Sequence, residues 1–308
     1  MFAQLFKQPF HVTIFGVGAL LVFAGFFKID DITKLAIVVH ANPLYIVVTI
    51  GFLLMVTSIA LHFATTFSFH SVGGAPVKRL PNGFSITRSR TEVKIVYGRV
   101  ELISCKEEDC LTVLPANEFF DDECIADKRS ALGAFMQHHF PGDIGQIQGL
   151  VKKELRSYEG TTVEKSPGET VQSYGVGTCV FLNRPLKSQL RVAMVAVTTK
   201  RAGEGLQAYA GNIHRSIVEM HRVMADKRLN RVVVPLLGAG HGGLPPPLSL
   251  VCMLAAFGEI MRHPSGHHLK SVDIVVFRES QDNPPIVTER ETKRILAFAQ
   301  QFFMPQPS

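Results

Sequence analysis

The hydrophobic and polar positions divide this chain near residue 70. Before that point apolar residues run on without a period: Phe10–Phe27 carries no charged side chain, and neither does Leu44–Phe67. As helices these runs would extend about 27 Å and about 36 Å, against a hydrocarbon core of roughly 30 Å. Two transmembrane helices, at about 10–27 and 44–67, are therefore predicted within a membrane domain over 1–70. A secretory signal peptide fits the first run poorly, because the run is long, no small-residue cleavage site follows, and a second span comes soon after.

Beyond the spans, Ser71–Gly83 clusters glycine and proline and reads as a linker, taken through residue 90. From there strand-like and helix-like periods alternate. Glu92–Ser104 predicts one or two strands and Leu111–Leu114 a short buried one. Ile144, Ile147, Leu150, Val151 and Leu155 share a helical face. Gly177–Leu182 and Leu190–Thr198 are strand-like, and Leu206, Tyr209, Ile213, Ile217, Met220 and Met224 mark a long amphipathic helix. Asn230–Leu237 is a wholly buried strand, Leu248–His263 a helix and Val272–Phe277 another strand. Thr288 with Glu291 makes a capping box for a last helix to about Phe303. Strands alternating with helices imply a sheet covered on both faces. The expected fold class is two N-terminal transmembrane helices followed by an α/β domain.

Charge fixes the orientation. Residues 1–70 hold only Lys7, Lys28, Asp30, Asp31 and Lys34, whereas Lys78, Arg79, Arg88, Arg90, Lys94 and Arg99 follow the second span against Glu92 alone. Basic residues favour the cytoplasmic side, so the domain after the spans and both termini are expected there, in a multi-pass protein of the cell inner membrane or plasma membrane. The same basic stretch suits anionic headgroups, making the lipid bilayer a partner. The net charge of +6 is too small and too mixed to point to nucleic acid. Five cysteines without paired spacing suggest free thiols in a reduced compartment, and the adjacent pairs His138-His139 and His267-His268 lack metal-ligand spacing, so no metal is expected.

The segment richest in chemistry is Val232–Leu244, in which an apolar strand delivers the chain to a loop with glycine at 238, 240, 242 and 243. Such a loop lets the backbone turn and brings amide groups close to an anion, as phosphate sites require. Gly238, Gly240 and Gly243 satisfy the dinucleotide pattern G-x-G-x-x-G, yet Pro245-Pro246-Pro247 interrupts the place where its helix should run, and no acidic residue follows at a strand end about twenty residues on. A loop that simply turns the chain is the competing reading. Asn117, in Leu114-Pro115-Ala116-Asn117-Glu118, sits just after a buried strand, where it would bond a sugar or cap the next turn.

In order along the chain, Leu114-Pro115-Ala116-Asn117, Pro167-Gly168-Glu169 and Val234-Pro235-Leu236-Leu237-Gly238-Ala239-Gly240 resemble the macro domain, a fold that binds ADP-ribose and its derivatives, over roughly residues 91–303. The resemblance implies a three-layer α/β/α domain without a cofactor, whose ligand is an ADP-ribose derivative. Its site would be Asn117 and Phe119 (or Phe120) at the outer ribose, and Leu237, Gly238, Ala239, Gly240, His241, Gly242, Gly243 and Leu244 around the diphosphate. Two departures bear on mechanism. Gly98-Arg99-Val100 stands where many macro domains have Gly-Asp-Ile, leaving Glu101 as a substitute at the adenine. Phe119–Cys124 replaces the glycine-rich stretch of hydrolytic members, although Asp121 or Asp122 would be placed to activate a water. No catalytic residue is assigned.

Two spans before a macro domain resemble, more narrowly, the transmembrane macro-domain effectors (ThsA-type) of bacterial type II Thoeris anti-phage systems. That likeness implies a sensor of a nucleotide-derived signal, an ADP-ribose carrying an amino acid such as histidine, made by a partner TIR-domain enzyme. Binding would drive homo-oligomerisation, membrane disruption and cell death. The alternative is a membrane-tethered ADP-ribosyl hydrolase.

Overall fold

The computed structural model describes residues 77–303, apart from 89, 104, 201, 202, 264, 265 and 267, and the two predicted spans lie outside that range. The chain divides after Gly73, and the unit Gly74–Ser308 holds every described residue. Among the described residues no helix is long and apolar enough to cross a membrane.

Five parallel strands lie side by side: β3 (Thr91–Gly98), β10 (Ser271–Phe277), β9 (Arg231–Pro235), β4 (Cys110–Asn117) and β8 (Arg191–Thr198). β2 (Gly83–Arg88) pairs antiparallel with β3, β1 (Lys78–Leu80) extends the sheet beyond β2, and β7 (Cys179–Asn183) flanks β8 antiparallel. Parallel neighbours require crossovers, and the helices of those crossovers cover both faces.

β8 shows why its sequence is a continuous apolar run. Val192, Met194 and Ala196 enter one core, while Ala193, Val195 and Val197 enter the other. The first core is shared with α1 (Val100–Ile103), α2 (Asp122–Ala126), α3 (Ala131–His139) and α4 (Ile144–Leu155). The second is shared with α5 (Ala210–Asp226), α6 (Pro246–Arg262) and α7 (Glu289–Ala299). The result is the expected three-layer α/β/α domain.

Burial, more than capping, holds α5. Ile213, Ile217, Met220 and Met224 are fully buried, each worth roughly 1.5–3 kcal/mol, whereas Tyr209 at the N-cap makes no side-chain cap bond. At α7 the expected capping box is present: the Glu291 N–H donates to Thr288 Oγ1, and the Thr288 N–H donates to Glu291 Oε2 at 2.9 Å.

Several expectations need correction. The stretch taken as linker through residue 90 contains β1 and β2, because Pro81 and Asn82 form a two-residue hairpin turn that pairs Leu80 with Gly83. Phe84 and Ile86 from that hairpin are buried in the second core. Glu92–Ser104 is one strand followed by the short helix α1. α5 begins at Ala210, so Leu206 and Tyr209 precede it, and Tyr209 is exposed. α6 starts at Pro246, within the proline run, where first-turn positions need no intrahelical N–H partner.

Candidate functional site

A cavity of about 810 Å³ opens at the C-terminal ends of β4, β8 and β9, the edge at which open parallel sheets hold ligands. Its size falls within the roughly 300–1,000 Å³ of small-molecule sites.

One wall is the loop between β9 and α6, through Gly238, Gly240, His241 and Gly242. Gly238 has φ +75°, and a Cβ there would stand 2.7 Å from Ala208 Cβ. A Cβ on Gly242 would stand 2.8 Å from Ala208 Cβ, the Gly238 oxygen and Thr198 Cγ2. Internal packing thus demands glycine at both positions. Gly240 differs: an added Cβ would meet nothing within 4 Å. The loop folds through Gly243 N–H to Gly240 C=O (3.0 Å), Leu244 N–H to Gly238 C=O (3.1 Å) and Ala208 N–H to Gly242 C=O (2.9 Å). No acceptor among the described residues is found for the N–H groups of Gly238, Gly240, His241 and Gly242, whereas Ala239 closes a turn from Leu236. Four amides of this loop are thus left to donate to an anion.

The floor is the end of β4. The register with β8 shifts between Ala116 and Asn117, so that Asn117 pairs with Thr198. Asn117 Oδ1 accepts from the N–H groups of Phe119 (3.1 Å) and Phe120 (2.9 Å), and its Nδ2 donates to Asp121 Oδ2 at 3.2 Å. The side chain therefore caps the turn while lining the cavity. The same turn tucks both phenylalanines inward: Phe119 is buried, and Phe120, at φ 51°, packs edge-on against Tyr174.

The opposite wall is the turn from α2 into α3, with Ala126, Asp127, Arg129, Ser130 and Ala131. Ser130 caps α3 by accepting from the Gly133 N–H at 2.9 Å. Asp127 accepts from the Arg129 side chain and backbone and stands 3.3 Å from His241 Nε2. The Arg129 side-chain hydrogen bond, before all else, holds the Asp127 carboxyl below the usual range. His241 and Asp127 therefore join the two walls across the strand ends.

Two lysines complete the lining. Lys165 reaches in from the hairpin of β5 (Thr161–Ser166) and β6 (Glu169–Ser173), which stands apart from the main sheet, and lies 3.1 Å from Asp121 Oδ2. Asp121 Oδ1 also accepts from the Cys124 N–H at 2.8 Å. Lys200 follows β8 and forms no ion pair among the described residues. Burial pushes the Cys124 thiol up to about 11, so it is neutral near pH 7 and a poor nucleophile. Among the described residues no group of His, Cys, Asp and Glu is arranged to hold a metal ion.

Of the residues expected at the site, Asn117, Gly238, Gly240, His241 and Gly242 border the cavity, and Phe119, Leu237, Ala239, Gly243 and Leu244 do not. Leu237 and Leu244 are buried beneath the loop. The Gly243 N–H is taken by its own turn, and Ala239 packs on the second core. Glu101 is also away from the cavity, buried and paired with Arg99 at 2.6 Å. Asp127, Arg129, Thr198, Lys165 and Lys200 were not foreseen. The serine N-cap before Leu132, Phe135 and Met136 marks where α3 begins, but nothing local marks Lys165, whose partner is 44 positions away.

A family model described as the macro domain of the Thoeris protein ThsA matches residues 94–276. No curated protein matches the chain. Among solved structures, the chain is similar to an Oceanobacillus iheyensis macrodomain with MES bound, at 12% identity over 70% of this chain and 96% of that one, with a TM-score of 0.49. It is similar to a Trypanosoma brucei macrodomain in complex with ADP-ribose, at 10% identity over 67% and 68%, with a TM-score of 0.42. Similarity also extends to the macrodomain of Thermus aquaticus DarG, at 17% identity over 60% and 99%, with a TM-score of 0.38.

Proposed function

The chain belongs to the family of Thoeris ThsA macro domains, and from that premise we propose that its cleft binds an ADP-ribose-derived signal and that the whole chain is a membrane effector of anti-phage defence. The observation that carries the binding half is the glycine loop beside the cavity, in which the N–H groups of Gly238, Gly240, His241 and Gly242 have no acceptor among the described residues. Backbone N–H groups before a helix N-terminus suit a diphosphate, and Gly240 leaves open the space in which one would lie.

Binding without turnover is the better supported chemistry. In the hydrolase alternative Asp121 or Asp122 would activate a water. Asp121 is engaged by Lys165, Asn117 and the Cys124 N–H. Asp122 pairs with Lys152 at 3.0 Å and does not line the cavity.

The membrane half rests on the two apolar runs before residue 70. In this reading a TIR-domain enzyme makes the signal, the domain binds it at the cytoplasmic face of the inner or plasma membrane, and several copies assemble to breach the bilayer. Switching from about 1% to 99% active requires the signal to favour the active state by roughly 5.5 kcal/mol, which contacts shared between copies would help to supply. The test is dye release from vesicles carrying the full chain. Release on adding an amino-acid-linked ADP-ribose, and none without it, supports the effector. Intact vesicles with ligand bound count against membrane disruption.

A further inference from the structure

The basic residues outside the cleft are not spread evenly. Arg79 of β1 pairs with Glu289 at the start of α7 at 3.1 Å, and Lys293 of α7 lies over the Phe84 ring of β2 at 5.7 Å. These contacts join β1, β2 and α7 into one continuous surface. On α7, Thr292, Leu296 and Ala299 are buried, while Arg290, Lys293, Arg294 and Phe298 are exposed. Arg79 adds an exposed cation from the edge strand on the same side as α7.

The acids on this surface are already engaged, Glu289 by Arg79 and Glu291 by the capping box. From Thr292 to Ser308 the chain has no Asp or Glu. α5 is different, with Glu219 and Asp226 interspersed with Arg215 and Arg222, as on an ordinary solvated face. A surface with unbalanced cations and an exposed phenylalanine, 51% accessible, has the chemistry of a helix lying on a headgroup layer. Ten residues, 68–77, separate the predicted end of the second span from β1, a tether of roughly 35 Å at most.

We propose that the β1–α7 surface is a lipid-contact face that rests on anionic headgroups through Arg290, Lys293 and Arg294, with Phe298 at the headgroup level. The proposal rests on the reading of residues 1–70 as membrane spans. Each cation near an anionic leaflet strengthens association about fivefold, so the contact depends on lipid charge and on salt.

The test is amine labelling of the full chain in nanodiscs, read residue by residue by mass spectrometry. In discs containing phosphatidylglycerol, Lys293 should label at least fivefold more slowly than in pure phosphatidylcholine, with recovery at high salt. Lys152 and Lys153 on α4 serve as controls and should not change. The double variant Arg290→Gln/Arg294→Gln alters exposed positions only and should restore most of the labelling. Equal labelling in both lipids overturns the proposal. Protection that appears in both lipids and grows with protein concentration overturns it in favour of a contact between copies. A chain that does not enter the discs removes the membrane reading itself and the proposal with it.

Discussion

Replacing Gly240 with valine separates ligand binding from folding. A Cβ at this position meets nothing within 4 Å, and the residue is exposed. The substitution should therefore change stability by no more than about 0.5 kcal/mol, as at an ordinary surface position. A branched side chain there would fill the space beside the unpaired amides. Each charge-assisted bond from an N–H to an anion is worth about 1.5–3 kcal/mol. Losing two such bonds costs about 3–6 kcal/mol, or roughly 10²- to 10⁴-fold in Kd. Gly242→Ala provides the contrast, because its Cβ would stand 2.8 Å from Ala208 Cβ and the Gly238 oxygen. Overpacking of that kind costs about 1–3 kcal/mol of stability. The assay is calorimetric titration with ADP-ribose and its amino-acid-linked derivative, beside thermal melting. A Gly240→Val chain that melts normally and binds within threefold of the parent would refute the placement of the anion against this loop.

Other substitutions probe the surroundings. Asp121→Asn removes the carboxylate from Lys165 and should lower stability by about 1–3 kcal/mol, measured by denaturant unfolding; on the binding reading neither form turns over ligand, whereas loss of a parental turnover would favour the hydrolase. Cys124, with its thiol pushed up to about 11, should alkylate far more slowly than a free cysteine at pH 7.5, and more slowly still with ligand bound. Tyr97→Phe deletes the buried hydroxyl that donates to Thr292 Oγ1 at 2.9 Å and should cost about 1 kcal/mol without affecting binding. Glu291 is held below its ordinary value, first by the Thr288 N–H. A carboxylate favoured in this way stabilises the fold above its ordinary pKa and loses that contribution as pH falls through the lowered value, so Glu291→Gln should flatten the acid limb of the stability curve.

Features written in adjacent residues are legible in the sequence alone. The buried strands β8, β9 and β10 announce themselves as valine-rich runs, α4 through Ile147, Val151 and Leu155, and α7 through its capping box. The glycine loop was equally plain, although the pattern could not tell Gly238 and Gly242, required by packing, from Gly240, which packing leaves free. Punctuation misled where it served two purposes. Pro81-Asn82-Gly83 reads alike as linker or hairpin, and only the burial of Phe84 and Ile86 decides between them. Pro245–Pro247 keeps the glycine loop from running straight into a helix and, from Pro246, also opens α6. The charged half of the cleft was invisible because tertiary contact assembles it: Lys165 comes from a separate hairpin, and His241 meets Asp127 across 114 positions.

On the proposed function, the cleft beneath Gly238–Gly242 holds an ADP-ribose-derived ligand without breaking it. Calorimetric titration of the full chain with ADP-ribose and amino-acid-linked ADP-ribose, followed by chromatography of the recovered ligand, tests this directly. Saturable binding of one ligand per chain with the ligand recovered intact is the predicted result; release of free ADP-ribose, or no heat with either compound, would contradict it.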